Sequence, residues 1–95
     1  MKDLISNLSD VEINRLVHRL DAKGCTNFVE SPRHFWPLLW ELYSLGYSLK
    51  ANRYGDILLL RFFLNDIMYQ FDAAPGRAIC EAWLIFRLNS IWLVW

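Results

Sequence analysis

No stretch of the chain reaches the roughly 18 uninterrupted apolar residues of a membrane span, so nothing in it reads as one. The terminal Ile91-Trp92-Leu93-Val94-Trp95 run is apolar but far too short to cross. The first residues hold a single Lys and no long apolar run, so a secretory signal is not expected. Cysteine is scarce. Cys25 and Cys80 match no metal or redox spacing, and reduced thiols in the cytosol are expected. Net charge is absent too, since ten basic and ten acidic residues cancel. Non-specific nucleic-acid binding rests on phosphate neutralisation, and a neutral chain supplies no global field for it.

Catalytic signatures are also missing. The sequence holds no Gly-rich phosphate loop, no nucleophile elbow and no zinc helix motif. Its acidic residues are dispersed over caps, turns and helix surfaces, without the convergence that paired-carboxylate chemistry needs. His18 and His34 fall on different elements, whereas a metal site needs three or four convergent ligands. Neither catalytic residues nor a metal or cofactor are expected, and the chain does not read as an enzyme.

What the chain does have is apolar mass. Hydrophobic residues are 55% and aromatics 16% of its 95 residues, including five Trp, six Phe and four Tyr. The usual apolar share is about 45–50%, and each large ring buries about 150–250 Å² when enclosed. So short a chain is expected to form one domain spanning residues 1–95, with much of its surface unburied. Some apolar surface is therefore expected to meet another molecule.

Local patterns give the elements. Ser9-Asp10-Val11-Glu12 is a capping box. Ile13, Leu16, Val17 and Leu20 follow at helical spacing, and Lys23-Gly24 ends the stripe, which predicts a helix over about 10–22. Leu8 is placed to staple its entry against Ile13. Ser31-Pro32 opens a second helix that runs to about Leu45 before Gly46. Pro37 either sits harmlessly in its first turn or removes one backbone bond. Phe35, Leu38, Leu39 and Leu42 make one stripe, and Trp36, Trp40 and Tyr43 a second, so both faces are expected to be covered.

Beyond Gly46 the period becomes two. Tyr47, Leu49 and Ala51 alternate with Ser48, Lys50 and Asn52, and Arg53-Tyr54-Gly55-Asp56 is turn chemistry. Ile57–Phe63 places Leu58, Leu60 and Phe62 on one face and Ile57, Leu59, Arg61 and Phe63 on the other. After Leu64-Asn65-Asp66, a third run alternates Ile67, Tyr69 and Phe71 with Met68, Gln70 and Asp72. Short links between consecutive strands predict an antiparallel meander. Pro75 then opens a final helix with core residues Ile79, Ala82, Trp83 and Phe86, an Arg77–Glu81 pair, and Cys80 as a small buried residue. Leu84 and Leu88 lie beyond that stripe, more apolar surface than one contact explains. The predicted class is α+β: two N-terminal helices, a three-stranded antiparallel meander and a C-terminal helix packed on the sheet.

Three stretches carry a resemblance. Leu8-Ser9-Asp10-Val11-Glu12-Ile13-Asn14, Ser31-Pro32 through Trp36-Pro37-Leu38-Leu39, and Ala74-Pro75-Gly76-Arg77-Ala78-Ile79-Cys80 occur in order. They resemble the opening helix, second helix and last helix of small bacteriophage proteins, the NinX-like and phage αβα-sandwich domain group. The resemblance spans about residues 8–88 and leaves 89–95 as an apolar tail. It implies an early-expressed phage accessory protein and brings no catalytic motif with it.

The resulting expectation is a phage-encoded, non-enzymatic protein that binds and modulates a host protein or complex, for anti-defence or host takeover. A nuclease, recombination machinery or an RNA-guided defence complex are the candidate targets. Its candidate contact residues are Trp36, Trp40, Tyr43, Arg53, Tyr54, Trp92 and Trp95, since Trp and Tyr are the usual energetic anchors of interfaces. Two alternatives stand beside it. One is a nucleic-acid-binding module of helix–three-strand–helix order, using Lys50, Arg53, Arg61, Arg77 and Arg87 as a basic band. The other is a homodimer whose excess apolar surface is its own interface.

Overall fold

A sheet with an apolar face and a C-terminal helix with more apolar surface than one contact explains are satisfied by a layered arrangement with that helix between the sheet and the other helices. The computed structural model describes residues 2–21, 27–44, 49–64 and 66–94, excluding the side chains of residues 2 and 89–94, and has that arrangement. Three helices come first: α1 (Lys2–Ser6), α2 (Asp10–Asp21) and α3 (Pro32–Ser44). Strands β1 (Lys50–Tyr54), β2 (Ile57–Leu64) and β3 (Ile67–Ala73) follow, and α4 (Pro75–Val94) ends the order. The class is α+β, with the C-terminal helix packed on the sheet. The short α1 is an addition to the expected order: five residues carry too little periodicity to announce a helix.

The expected start signals are in place. The Ser9 amide donates to Glu12 Oε1 at 3.0 Å, and the Glu12 amide donates to Ser9 Oγ at 3.2 Å, closing the capping box. The donated amide holds the Glu12 carboxyl below its usual range. At α3 the Ser31 carbonyl accepts from the His34 and Phe35 amides, both at 2.9 Å. Pro37 therefore lies past the first turn, inside the helix, where no amide is available to its i−4 carbonyl.

The sheet has the order β1-β2-β3 with both pairs antiparallel. Gly55-Asp56 alone joins β1 to β2, and Arg53 and Tyr54 belong to the strand rather than to the turn. Gly55 takes φ +61° while Asp56 stays at negative φ, the pattern of a type II′ hairpin. Residues 47 and 48, expected in the first strand, lie outside the described residues, as do Leu45, Gly46, Lys23, Gly24, Cys25 and Asn65.

One face of the sheet meets α4. Leu58, Leu60, Phe62, Leu64 and Phe71 are buried there, with Phe62 stacked between Tyr69 and Phe71 at centroid distances of 5.6 and 6.0 Å. On its other sides α4 packs against α3, α2 and α1. Ala78 to Phe86 are buried without a break, which accounts for Leu84 lying beyond a single apolar stripe. Helix α4 continues to Val94, so residues 91–94 of the terminal apolar run extend this helix rather than forming a separate tail. No helix among the described residues is long and apolar enough to cross a membrane.

Polar side chains fix how the helices sit on α4. The Arg77 guanidinium donates to Leu8 O at 2.6 Å, Asp10 Oδ1 at 2.9 Å and Glu81 Oε1 at 3.1 Å, tying the α1–α2 junction to α4. Buried Asn14 accepts from the Val29 amide and donates to Asn27 Oδ1, each at 3.0 Å, so the 27–30 turn is held on α2. The same turn lies directly on Gly76, where a Cβ would meet the Val29 carbonyl oxygen.

Candidate functional site: the open face of the sheet

Only one side of the sheet is packed by α4, and the strand register decides what the other side presents. The pairs Tyr54–Ile57, Asn52–Leu59–Asp72, Lys50–Arg61–Gln70 and Phe63–Met68 share the outer face. Its two ends are apolar. Tyr54 (64% exposed) and Ile57 (48%) adjoin half-buried Leu59 at one end, and Phe63 (52%) adjoins Met68 (50%) at the other. A polar band crosses the middle. Arg61 donates from Nε (3.2 Å) and Nη2 (2.8 Å) to Gln70 Oε1, which aims its guanidinium across the strands. Neither Lys50 nor Arg61 has a carboxylate in salt-bridge range among the described residues. The face thus presents two exposed apolar patches, one on either side of a polar band.

The expected contact residues do not form one surface. Tyr54 belongs to the outer face of the sheet. Arg53, one residue earlier, has the opposite parity and donates from Nε to Gly55 O at 3.2 Å. Trp36, Trp40 and Tyr43 lie on α3, which packs on α4 from the side away from the sheet. There the expected cover over the second stripe is missing among the described residues. Trp36 is half-buried against Phe35, whereas Trp40 (66% exposed) and Tyr43 (40%) pack on each other at 5.9 Å. Residues 45–48, next in sequence after α3, are not described. The Trp92 side chain and Trp95 also lie outside the described residues.

The basic band expected for nucleic acid is likewise divided. Lys50 and Arg61 share the outer face, but Arg77 is tied to α1, α2 and Glu81. Arg87 lies over the Trp83 ring at 4.9 Å and pairs with Glu41 at 3.5 Å. Sequence reasoning missed Ile57, Leu59, Phe63 and Met68. The available signal was β2 itself, apolar on both faces in a chain with few elements to cover both.

Two hollows offer no alternative chemistry. One of about 360 Å³ lies beside β3 and is lined by Asp10, Asp72, Arg77 and Glu81, with Arg77 hydrogen-bonded on several sides. Another of about 410 Å³ is lined by Val11, Asn14, Arg15, His18 and Asn27, and its two Asn amides bond each other. Among the described residues no group of three His, Cys, Asp or Glu side chains is arranged to hold a metal ion. Cys80 is fully buried within α4. No family model, curated protein or solved structure matches the chain.

Proposed function

We propose that the protein is a phage-encoded, non-enzymatic binder that modulates a host protein, and that it docks through the outer face of its sheet. The observation that carries the docking surface is the placement of Tyr54, Ile57, Phe63 and Met68, each about half exposed or more, on one unpacked face. Fully burying a large apolar side chain is worth roughly 1.5–3 kcal/mol; these are about half exposed, so covering each recovers about half of that, and together they are a source of affinity. A rigid antiparallel sheet backed by α4 also presents them with little ordering cost on binding. The phage origin and the host target rest on the three stretches that resemble small phage accessory proteins.

Interference with the host protein is then steric: the seated domain blocks a substrate path or a moving part. The test is capture of host proteins from nuclease-treated bacterial lysate by the tagged protein and by the Tyr54→Ser/Phe63→Ser double variant. A stoichiometric host protein retained by the first and lost by the second supports the proposal. Equal retention by both, with Trp40→Ala alone losing it, moves the site to α3. No retained host protein removes the modulator reading.

A further inference from the structure

Resting on the reading of the outer face as a protein-binding surface, we infer that its occupant is an amphipathic helix with a carboxylate midway between two apolar anchors. The helix supplies the layer that the sheet lacks on this side. Leu59, Arg61 and Phe63 project from the same face of β2, so Leu59 and Phe63, the inner edges of the two apolar ends, lie about 13 Å apart with Arg61 midway. On a helix, residues eight apart are separated by about 12 Å along the axis, and the residue four along sits between them on the same side. An apolar residue, Asp or Glu four later and a second apolar residue four later again match the three positions on β2.

The centre of the face selects the sign. Lys50 and Arg61 are directly paired, and no carboxylate of the described chain reaches either. The one acidic side chain in the outer-face register, Asp72, pairs with Leu59, a step toward the Ile57 end. Gln70 holds Arg61 through Nε and Nη2 and leaves Nη1 to meet an incoming carboxylate. Covering the face with an apolar surface alone would strip water from two cations without replacing it, which is costly. A second copy fits poorly for the same reason. A self-complementary interface centred on this patch brings each copy's Lys50–Arg61 band against its own equivalent, and like charges so placed repel.

The experiment is selection of a displayed library of amphipathic helical peptides on the immobilised full-length protein. Enriched peptides are then resynthesised with a fluorescent label, and their anisotropy is titrated against wild type, Arg61→Glu and Tyr54→Ser/Phe63→Ser. Enriched sequences are expected to carry Asp or Glu four residues from an apolar residue on each side. Replacing that carboxylate with the amide should weaken binding about tenfold or more. Arg61→Glu should invert the preference to a Lys-centred peptide. Binding that needs Tyr54 and Phe63 but ignores the central carboxylate overturns the inference and leaves the docking face standing. Binding that survives the double variant overturns both. A single-stranded oligonucleotide bound through Arg61 in the same assay, or a dimer dispersed by Phe63→Ser in sedimentation, replaces the helix as occupant and overturns the inference.

Discussion

Replacing Gly76 with Ala should destabilise the protein, although the change favours a helix. Gly76 is the second residue of α4, and Ala in place of a helical Gly gains up to about 1 kcal/mol. The added Cβ would collide with the Val29 carbonyl oxygen and lie 2.7 Å from Phe35 Cδ2. Backbone cannot swing aside as a side chain does, so the 27–30 turn must lift from α4. Overpacking of this kind costs about 1–3 kcal/mol. Moving the turn also strains the buried bond from the Val29 amide to Asn14 Oδ1, and an amide left without its acceptor costs about 1–3 kcal/mol. Less the helix gain, the middle of these ranges is a net loss of about 3 kcal/mol. At about 4–8 °C per kcal/mol for a domain of this size, the melting temperature should fall by more than about 10 °C. Thermal unfolding followed by circular dichroism, with urea titration for the free energy, measures this directly. A variant as stable as wild type, or more so, would refute the close seating of the turn on α4.

Other substitutions separate the parts of the structure. Gly55→Ala should cost about 1–2 kcal/mol in urea titrations, from positive φ alone, because no atom crowds its Cβ position, and Gly55→Asn should cost less. Arg77→Met should cost about 3 kcal/mol, since it leaves buried Glu81 without this cation and frees the α1–α2 junction. Tyr54→Ser and Phe63→Ser should leave stability within about 1 kcal/mol of wild type while abolishing partner capture. Glu12→Gln removes a carboxylate whose folded-state pKa is depressed by the Ser9 amide, so wild type should be the more stable above the ordinary carboxylate pKa of 4.5. That advantage should fade as pH falls through the lowered folded value, which paired titrations over acidic pH would show.

The fold was largely legible because every element but α1 carried its own local signal. The Ser9–Glu12 box and the Ser31-Pro32 step marked helix starts, and the switch to period two after Gly46 marked the sheet. Helix α1 carried no such signal. The terminal run was read as a separate tail, whereas its residues 91–94 extend α4.

The site was less legible, because sequence shows which residues are apolar and not which neighbours cover them. The second stripe of α3 looked like a buried face, yet Trp40 and Tyr43 are exposed and packed on each other. Strand β2 is apolar on both faces in the sequence, which does not say which face is covered; with α4 on one face, its Ile57 and Phe63 face outward. Which side α4 takes follows from tertiary packing, and that choice creates the open surface.

The most direct test of the outer face as the docking surface is methyl NMR of the labelled protein titrated with its captured partner. The expected result is perturbation concentrated on Ile57, Leu59 and Met68, with Leu38 and Leu39 of α3 and Ile79 of α4 unmoved. Perturbation centred on the α3 methyls, with Ile57 and Met68 unchanged, would contradict the assignment of the site to the sheet.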